Sequence, residues 1–279
     1  MNEQSLKPKV SVLLTAYNNQ AYIKQAIESI LNQTFSEFEF IIIDDASTDN
    51  TWAIISDYAA KDLRIRIYKN GLNLGISKNR NRLISLARGE YIVWQDADDI
   101  SLPNRLANQV SFMQSQPEVA ISGGYLQFFN ETQGNLSIRK YAVADKELRA
   151  KIFRYSPLAQ PSAIVRKDAL VKIGGYDETL AVAEDLDVVF RIGQDYKFAN
   201  LAQVLVLYRQ QSQSITFKKL KILELNTLKI RFHFVRNKSY KPNFFDILYN
   251  LGQFLTLYLL PAKFRVKIFD RFRNQKIYG

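Results

Sequence analysis

The 279-residue chain contains no cysteine and a single histidine. Without cysteine there can be no disulfide, no Cys-ligated zinc and no thiol chemistry, and the composition fits a reducing compartment. The histidine, His233, lies in Arg231-Phe-His-Phe-Val235. That is an apolar, helical context with no catalytic motif, so a packing or surface role is expected. No run reaches the roughly 18–20 apolar residues of a membrane span. The first nine residues are polar and read as no secretory signal peptide. Neither GxGxxG nor GxxxxGK[ST] occurs, so the usual glycine-rich phosphate cradles are missing. Any phosphate bound here must be met by a metal and by basic side chains.

What is present is a globular composition, 47% hydrophobic and 23% charged. The length suits one sizeable core, or one domain with an appendage. Charge is unevenly placed. Residues 218–279 hold 14 of the 38 Lys/Arg and 3 of the 27 Asp/Glu, which leaves 24 of each for residues 1–217. The whole excess of +11 therefore sits in the last 62 residues. This predicts a boundary near 217 and an anionic surface as the partner of the tail.

Strand and helix signals alternate four times. Val10–Leu14 reads as a buried strand, and Gln20–Asn32 as an amphipathic helix with Ala26, Ile27 and Ile30 inward. Phe38–Ile43, Arg64–Lys69 and Tyr91–Trp94 are further strands, with helices over 50–60 and 76–87 between them. Such alternation predicts an α/β fold with a doubly wound, mostly parallel sheet. A helix over 106–114 follows, then two weak strands around Gly123-Gly124, a helix over 145–153, and a strand entry at Gln160–Lys167.

The chemistry collects after the strands, at Thr15–Asn18, Asp44–Asp49 and Asp96–Asp99. A doubly wound sheet places all three on its carboxyl edge, where open α/β sheets bind ligands. Asp96, Asp98 and Asp99 fall within four positions, and carboxylates so crowded are costly to bury without a cation. Hard oxygen ligands suit Mg²⁺ or Mn²⁺ shared with a nucleotide diphosphate. The competing reading is an acidic turn in which Asp99 or Ser101 caps the helix near Pro103. Further on, Glu184, Asp185 and Asp187 crowd the start of another helix, where acids are also favoured by the helix dipole.

Four segments occur in order: Val10-Ser-Val-Leu-Leu-Thr-Ala-Tyr-Asn-Asn19, Ile41-Ile-Ile-Asp-Asp-Ala-Ser-Thr-Asp49, Asn73-Leu-Gly-Ile-Ser-Lys-Asn-Arg-Asn81 and Ala87-Arg-Gly-Glu-Tyr-Ile-Val-Trp-Gln-Asp-Ala-Asp-Asp99. Together they resemble the family 2 glycosyltransferases of the GT-A fold, over roughly residues 9–210. The resemblance implies a catalytic domain over 1–217 with a basic helical region over 218–279. It further implies an inverting transfer of sugar from a nucleotide diphosphate, UDP above all, to an acceptor hydroxyl.

By this resemblance, Thr15, Ala16, Tyr17 and Asn18 line the nucleoside pocket, and Asp44 or Asp45 holds the uracil ring. Arg80 stands near the base or phosphates, with a solvated helix charge as the alternative. Asp96 faces ribose or metal, and Asp98 is the direct ligand of Mn²⁺ or Mg²⁺. Ile173-Gly-Gly-Tyr-Asp177 followed by Glu184-Asp185 is similar to the family's catalytic segment. There Asp185 is the general base, and Glu184 an acceptor contact or substitute base. Where the family often has a metal-reaching His, this chain has Gln211.

In the tail, Leu220–Val235 reads as a helix with Ile222, Leu225, Leu228, Phe232 and Val235 on one face. Asn243–Leu260 is apolar but interrupted by Asn250, Gly252 and Gln253, too short to span. Lys263–Lys276 mixes basic residues with Phe264, Ile268, Phe269 and Phe272 and fits an interfacial helix on anionic lipid. The other reading is an appendage packed on the catalytic domain. The expected location is cytoplasmic, at the inner face of the membrane, with a saccharide or lipid-linked acceptor in surface polysaccharide or glycolipid assembly and no nucleic-acid partner. Two other activities fit less of the pattern: a nucleotide- and membrane-binding module without turnover, and a nucleotidyltransferase that makes the sugar nucleotide.

Overall fold

The computed structural model describes residues 7–210, 220–261 and 264–265. Its first half follows the alternation of the sequence. Strands β1 (Val10–Ala16), β2 (Phe38–Asp44), β3 (Ile65–Lys69) and β4 (Tyr91–Asp96) alternate with helices α1 (Ile23–Leu31), α2 (Thr51–Ala59) and α3 (Ile76–Leu86). β1 pairs in parallel with both β2 and β4, and β2 with β3. Apolar residues alternate between the two sheet faces. Leu13, Ile41, Ile43 and Ile92 join a core with α3, while Val12, Leu14, Phe40, Ile42 and Val93 join one with α1. Burial on both faces is why these strands read as continuous hydrophobic runs. Gly89 permits the close approach of β4 to β1, because a Cβ there would stand 2.5 Å from the Ser11 nitrogen.

The second half is mixed. After the two-residue β5 (Ile100–Ser101) and α4 (Arg105–Ser115) come β6 (Val119–Asn130), β7 (Gly134–Arg139), α5 (Asp145–Arg149), β8 (Ile164–Arg166), α6 (Lys167–Lys172), α7 (Glu184–Ile192) and β9 (Lys197–Arg209). Strand order is β3-β2-β1-β4-β8-β6-β9-β5, with β7 beside β6. β8 runs antiparallel to β4 and β6 inside the sheet, and β5 and β7 pair antiparallel with β9 and β6.

Two sequence expectations change here. The Gly123-Gly124 pair does not divide β6, which is one strand. A Cβ on Gly124 would meet the Leu205 side chain at 2.4 Å, so the glycine serves close packing against β9. The expected helix over 145–153 stops at Arg149.

The basic region forms α8 (Leu220–Phe234) and α9 (Phe244–Leu259). α8 packs on α7 through aromatic rings: Phe190 and Phe234 stack at 4.9 Å, and the Tyr240 hydroxyl donates to the Phe190 carbonyl at 2.7 Å. The inward face of α8 is Glu224, Leu228, Ile230, Arg231 and Phe234. Ile222 and Phe232, expected inward, are exposed. Burial of Glu224 and Arg231 in polar contacts rotates the helix away from its simplest apolar stripe. Gln211, and all of Lys263–Lys276 except Phe264 and Arg265, lie outside the described residues.

Candidate active site

The parallel register aligns the ends of three strands. Thr15 pairs with Asp96 on one side and Ile43 on the other, and Ala16 pairs with Asp44. The loops beyond are tied together. The Asn18 nitrogen donates to Ser47 Oγ at 3.0 Å, Thr48 N to Asn18 Oδ1 at 2.8 Å, and Asn19 N to Thr51 Oγ1 at 2.7 Å. Among the described residues, three non-glycine residues take positive φ: Asn18 (52°), Ala46 (63°) and Ala183 (67°). The first two lie in these loops and the third caps α7, the helix that carries Asp185. Positive φ is strained for alanine and collects at functional sites.

The two acids after β2 differ. Asp45 is saturated: its Oδ1 accepts from Asn70 Nδ2 at 2.7 Å and Leu74 N at 2.9 Å, and its Oδ2 from Gly75 N at 3.0 Å. It braces the loop that enters α3. Asp44 Oδ2 accepts from Ser47 N at 3.1 Å, while its buried Oδ1 has no hydrogen-bond partner. Asp44 thus keeps a buried acceptor oxygen without a partner, whereas both oxygens of Asp45 are engaged. Thr15 Oγ1, Trp94 Nε1 and Asp99 Oδ2 are likewise buried without a hydrogen-bond partner along this edge. Buried polar atoms left unpaired are costly, and several at one strand edge fit a polar ligand. Ala16 is buried, while Tyr17 and Asn18 are exposed at the mouth.

The Asp96–Asp99 turn rests on groups for which the sequence carried no motif. Gln95 Nε2 donates to the carbonyls of Asp96 at 2.9 Å and Asp99 at 2.8 Å. Arg105, 1% exposed, donates to the Trp94 carbonyl at 2.8 Å and Ser101 Oγ at 2.8 Å. Arg209 donates from Nε to the Asp98 carbonyl at 2.8 Å and from its backbone N–H to Asp99 Oδ1 at 2.9 Å. Burial lowers Arg105 to about 10, against the pull of Asp96 and Asp99. Burial, then Asp96, pushes Asp98 up to about 6. Asp96 is raised chiefly by burial, and Asp99 far more so by burial and both neighbours.

Such crowding fits a cation. Among the described residues, however, no cluster of three or more His, Cys, Asp or Glu side chains is arranged to hold one. Carboxylate oxygens are hard ligands of the kind Mg²⁺ and Mn²⁺ take, usually one or two of them with substrate phosphate completing the shell.

Arg80 joins this turn to the second acid cluster. Its buried guanidinium donates to Glu184 Oε1 at 2.5 Å and lies 5.3 Å from the Trp94 ring and 5.1 Å from the Tyr176 ring. Both Asp96 and Asp185 act on its charge. Acids from both clusters thus act on the charge of Arg80, Glu184 by direct hydrogen bond and Asp96 and Asp185 through their charge. Glu184 is committed to Arg80. Asp185 is half-buried and accepts from Leu186 N at 2.9 Å, and burial followed by the repulsion of Glu184 pushes it up to about 6.

The Gly174-Gly175 pair sets Tyr176 in place. Both glycines have positive φ, and Tyr176 exchanges backbone hydrogen bonds with the Asn81 amide at 2.8 and 2.9 Å. A Cβ on Gly175 would meet Asn81 Oδ1 at 2.5 Å. Gly175→Ala is expected to destabilise the fold by about 2 kcal/mol or more, from left-handed strain plus the clash. A urea unfolding curve no weaker than wild type would remove this account of the pair.

Glycosyl transferase family 2 is the family whose profile matches, over residues 11–174. An uncharacterized glycosyltransferase of Methanocaldococcus jannaschii is 35% identical over 97% of this chain and 95% of its own length. A shorter match of 107 residues, 40% identical, covers 38% of this chain and 42% of WfaP of Escherichia coli. WfaP is a UDP-Glc:alpha-D-GlcNAc-diphosphoundecaprenol beta-1,3-glucosyltransferase. Among solved structures, the mannosyltransferase PcManGT of Pyrobaculum calidifontis, in complex with GDP-Man and Mn²⁺, gives a TM-score of 0.66. It is 17% identical, over 96% of this chain and 74% of that one.

Proposed function

The chain belongs to glycosyl transferase family 2 and has the GT-A fold, and from that membership we propose that it inverts the anomeric centre of a UDP-sugar during transfer to a lipid-linked saccharide at the inner membrane face. The observation that carries this reading is the meeting of two acid clusters around Arg80. In this reading the acids after β4 serve the leaving diphosphate and Asp185 serves the incoming hydroxyl.

In this mechanism Asp185 takes the proton of the acceptor hydroxyl as its oxygen attacks the anomeric carbon. The bond from that carbon to the diphosphate oxygen breaks on the opposite side, and no covalent intermediate forms. Asp44 accepts from the base N–H, and Thr15, Ala16, Tyr17 and Asn18 wall the nucleoside. Asp98, with Asp96, would hold Mn²⁺ or Mg²⁺, whose charge when bound offsets that of the departing diphosphate. Arg80 sets the charge around Asp185 and is held by Trp94, Tyr176 and Glu184. The UDP donor and lipid-linked acceptor are supported by the activity named for WfaP, and the metal by the crowded carboxylates and by the Mn²⁺ named in the PcManGT complex.

Thermal unfolding with UDP, dTDP, GDP or CDP, each with and without Mn²⁺, tests the donor reading. A ligand at 100 times its dissociation constant stabilises by about 2.7 kcal/mol, a clear rise in midpoint. UDP with Mn²⁺ is expected to give the largest rise. A rise with GDP alone would replace the donor class. No rise with any nucleotide would sink the donor site.

A further inference from the structure

Helix α9 is built inside out. Its start is fixed by a capping box, with the Asn243 side chain accepting from Asp246 N at 2.9 Å and the Asp246 carboxylate from Asn243 N at 2.8 Å. The side that meets the protein carries its polar residues. Asp246 pairs with Arg154 at 2.7 Å, Asn250 donates to the Phe153 carbonyl at 2.8 Å, and Arg231 donates to both Asn250 and Gln253 at 3.2 Å. Asn250 and Gln253, which interrupt the apolar run in the sequence, thus help anchor the helix. The opposite side is apolar. Phe244, Leu248, Leu251, Leu255, Tyr258 and Leu259 follow spacings of three and four and are 46–73% exposed. No charged side chain lies on that stripe, and apolar patches of this kind mark interaction surfaces.

We propose that this outer face of α9 docks on an anionic lipid bilayer, lying in the interface with its leucines and phenylalanines among the acyl chains. The charge of the surroundings selects this occupant. The region holds the chain's entire excess of +11. Its two described acids, Glu224 and Asp246, are buried in pairs with Arg265 and Arg154, so among the described residues of the region no acid is exposed beside the surface cations. Lys221 reaches the edge of the face, its Nζ 5.7 Å from the Tyr258 ring, and Lys229, Arg236, Lys238 and Lys241 are exposed. An apolar stripe with a lysine at its edge and further exposed cations on the neighbouring helix and loop fits an interfacial helix on anionic lipid. A second copy of this chain would bring the same positive charge to the contact. No described helix is long and apolar enough to cross a membrane, so lying in the interface is the mode that fits.

The inference rests on the membrane location proposed above and names the surface that makes the contact; it does not depend on the transfer chemistry, since lipid binding is measured without substrate. The full chain would be floated on a density gradient with vesicles of phosphatidylcholine alone, or with one-third phosphatidylglycerol. Wild type is expected to float with the anionic vesicles and to lose that binding in high salt. Leu251→Glu with Leu255→Glu is expected to weaken partitioning by about 100-fold or more, since each leucine loses its transfer into the apolar phase. The unfolding midpoint of the double variant should match wild type, because neither side chain packs inside. A second readout uses the absence of other thiols: a fluorophore on Leu255→Cys should shift to the blue with anionic vesicles. Wild type that never floats, flotation unchanged in the double variant, or a dimer by light scattering that the double variant dissociates would each overturn the proposal. The nucleotide-shift assay stands apart, so failure here and failure of the donor site are told apart.

Discussion

Asp185→Asn is expected to lower transfer by about 100- to 10,000-fold, the usual contribution of a positioned general base, while donor binding is kept. The amide preserves shape and removes the basic oxygen. At saturating Mn²⁺, which keeps Asp98 ionised, the same residue sets the pH profile. Its carboxyl is pushed up to about 6, first by burial and then by Glu184, and a base acts only when ionised. Transfer (kcat/KM) should therefore rise with pH through about 6 and level off above it. Glu184→Gln separates the two neighbouring acids. Removing the Glu184 charge withdraws one of the causes that raise Asp185 and leaves Arg80 to lower it further, so the acid limb should move below 6 with transfer retained. Stability will suffer, since breaking a buried ion pair costs about 3–5 kcal/mol. If Glu184→Gln is the inactive variant and Asp185→Asn the active one, the roles are reversed.

Asp98→Ala is expected to reduce transfer by about 100- to 1,000-fold, the scale of losing one electrostatic partner of the developing charge. It should also abolish stabilisation by Mn²⁺. The pH dependence of stability checks the physics without turnover. Asp98 is raised to about 6 from a usual value of 3.8, and Asp96 and Asp99 are raised as well. A carboxyl that holds its proton more tightly folded than unfolded favours the fold at acid pH, and that contribution is lost as pH rises through the folded value. Without metal, these acids should therefore weaken the protein between about pH 4 and pH 7. Mn²⁺ should raise the unfolding midpoint near pH 8, where the carboxylates repel, and not near pH 4.5, where protons occupy them. Asp98→Ala should be more stable than wild type at the higher pH without metal. A wild-type midpoint equally indifferent to Mn²⁺ at both pH values would remove the cation from this site.

The comparison between Asp44 and Asp45 shows where sequence reading stops. Both follow β2, and nothing in their spacing separates them. The fold does so by turning the Asn70–Gly75 loop onto Asp45, while one buried oxygen of Asp44 is left without a hydrogen-bond partner. Glu184 and Asp185 part in the same way, one claimed by Arg80 from 104 residues away. Arg105 was invisible for a related reason. An arginine opening an exposed-looking helix carries no signal that it will be buried beneath the acidic turn.

The basic tail went furthest from its reading. Apolar periodicity placed Ile222 and Phe232 inside and treated Asn250 and Gln253 as interruptions. Buried partners, Arg231 and Arg154 above all, made the polar residues the contact surface and turned the apolar stripe of α9 outward.

By itself the sequence determined the four parallel strands, the strand-end placement of the acids and the family. These follow from local periodicity, and from the rule that a doubly wound sheet brings every strand end to one edge. Only the tertiary structure decided which acid has both oxygens engaged and which keeps one without a partner, that Arg80 pairs with Glu184 and feels the charge of Asp96 as well, and which face of α9 points outward. Those outcomes depend on contacts between residues far apart in the chain, where hydrogen bonds and ion pairs compete with hydrophobic burial for the same side of each element.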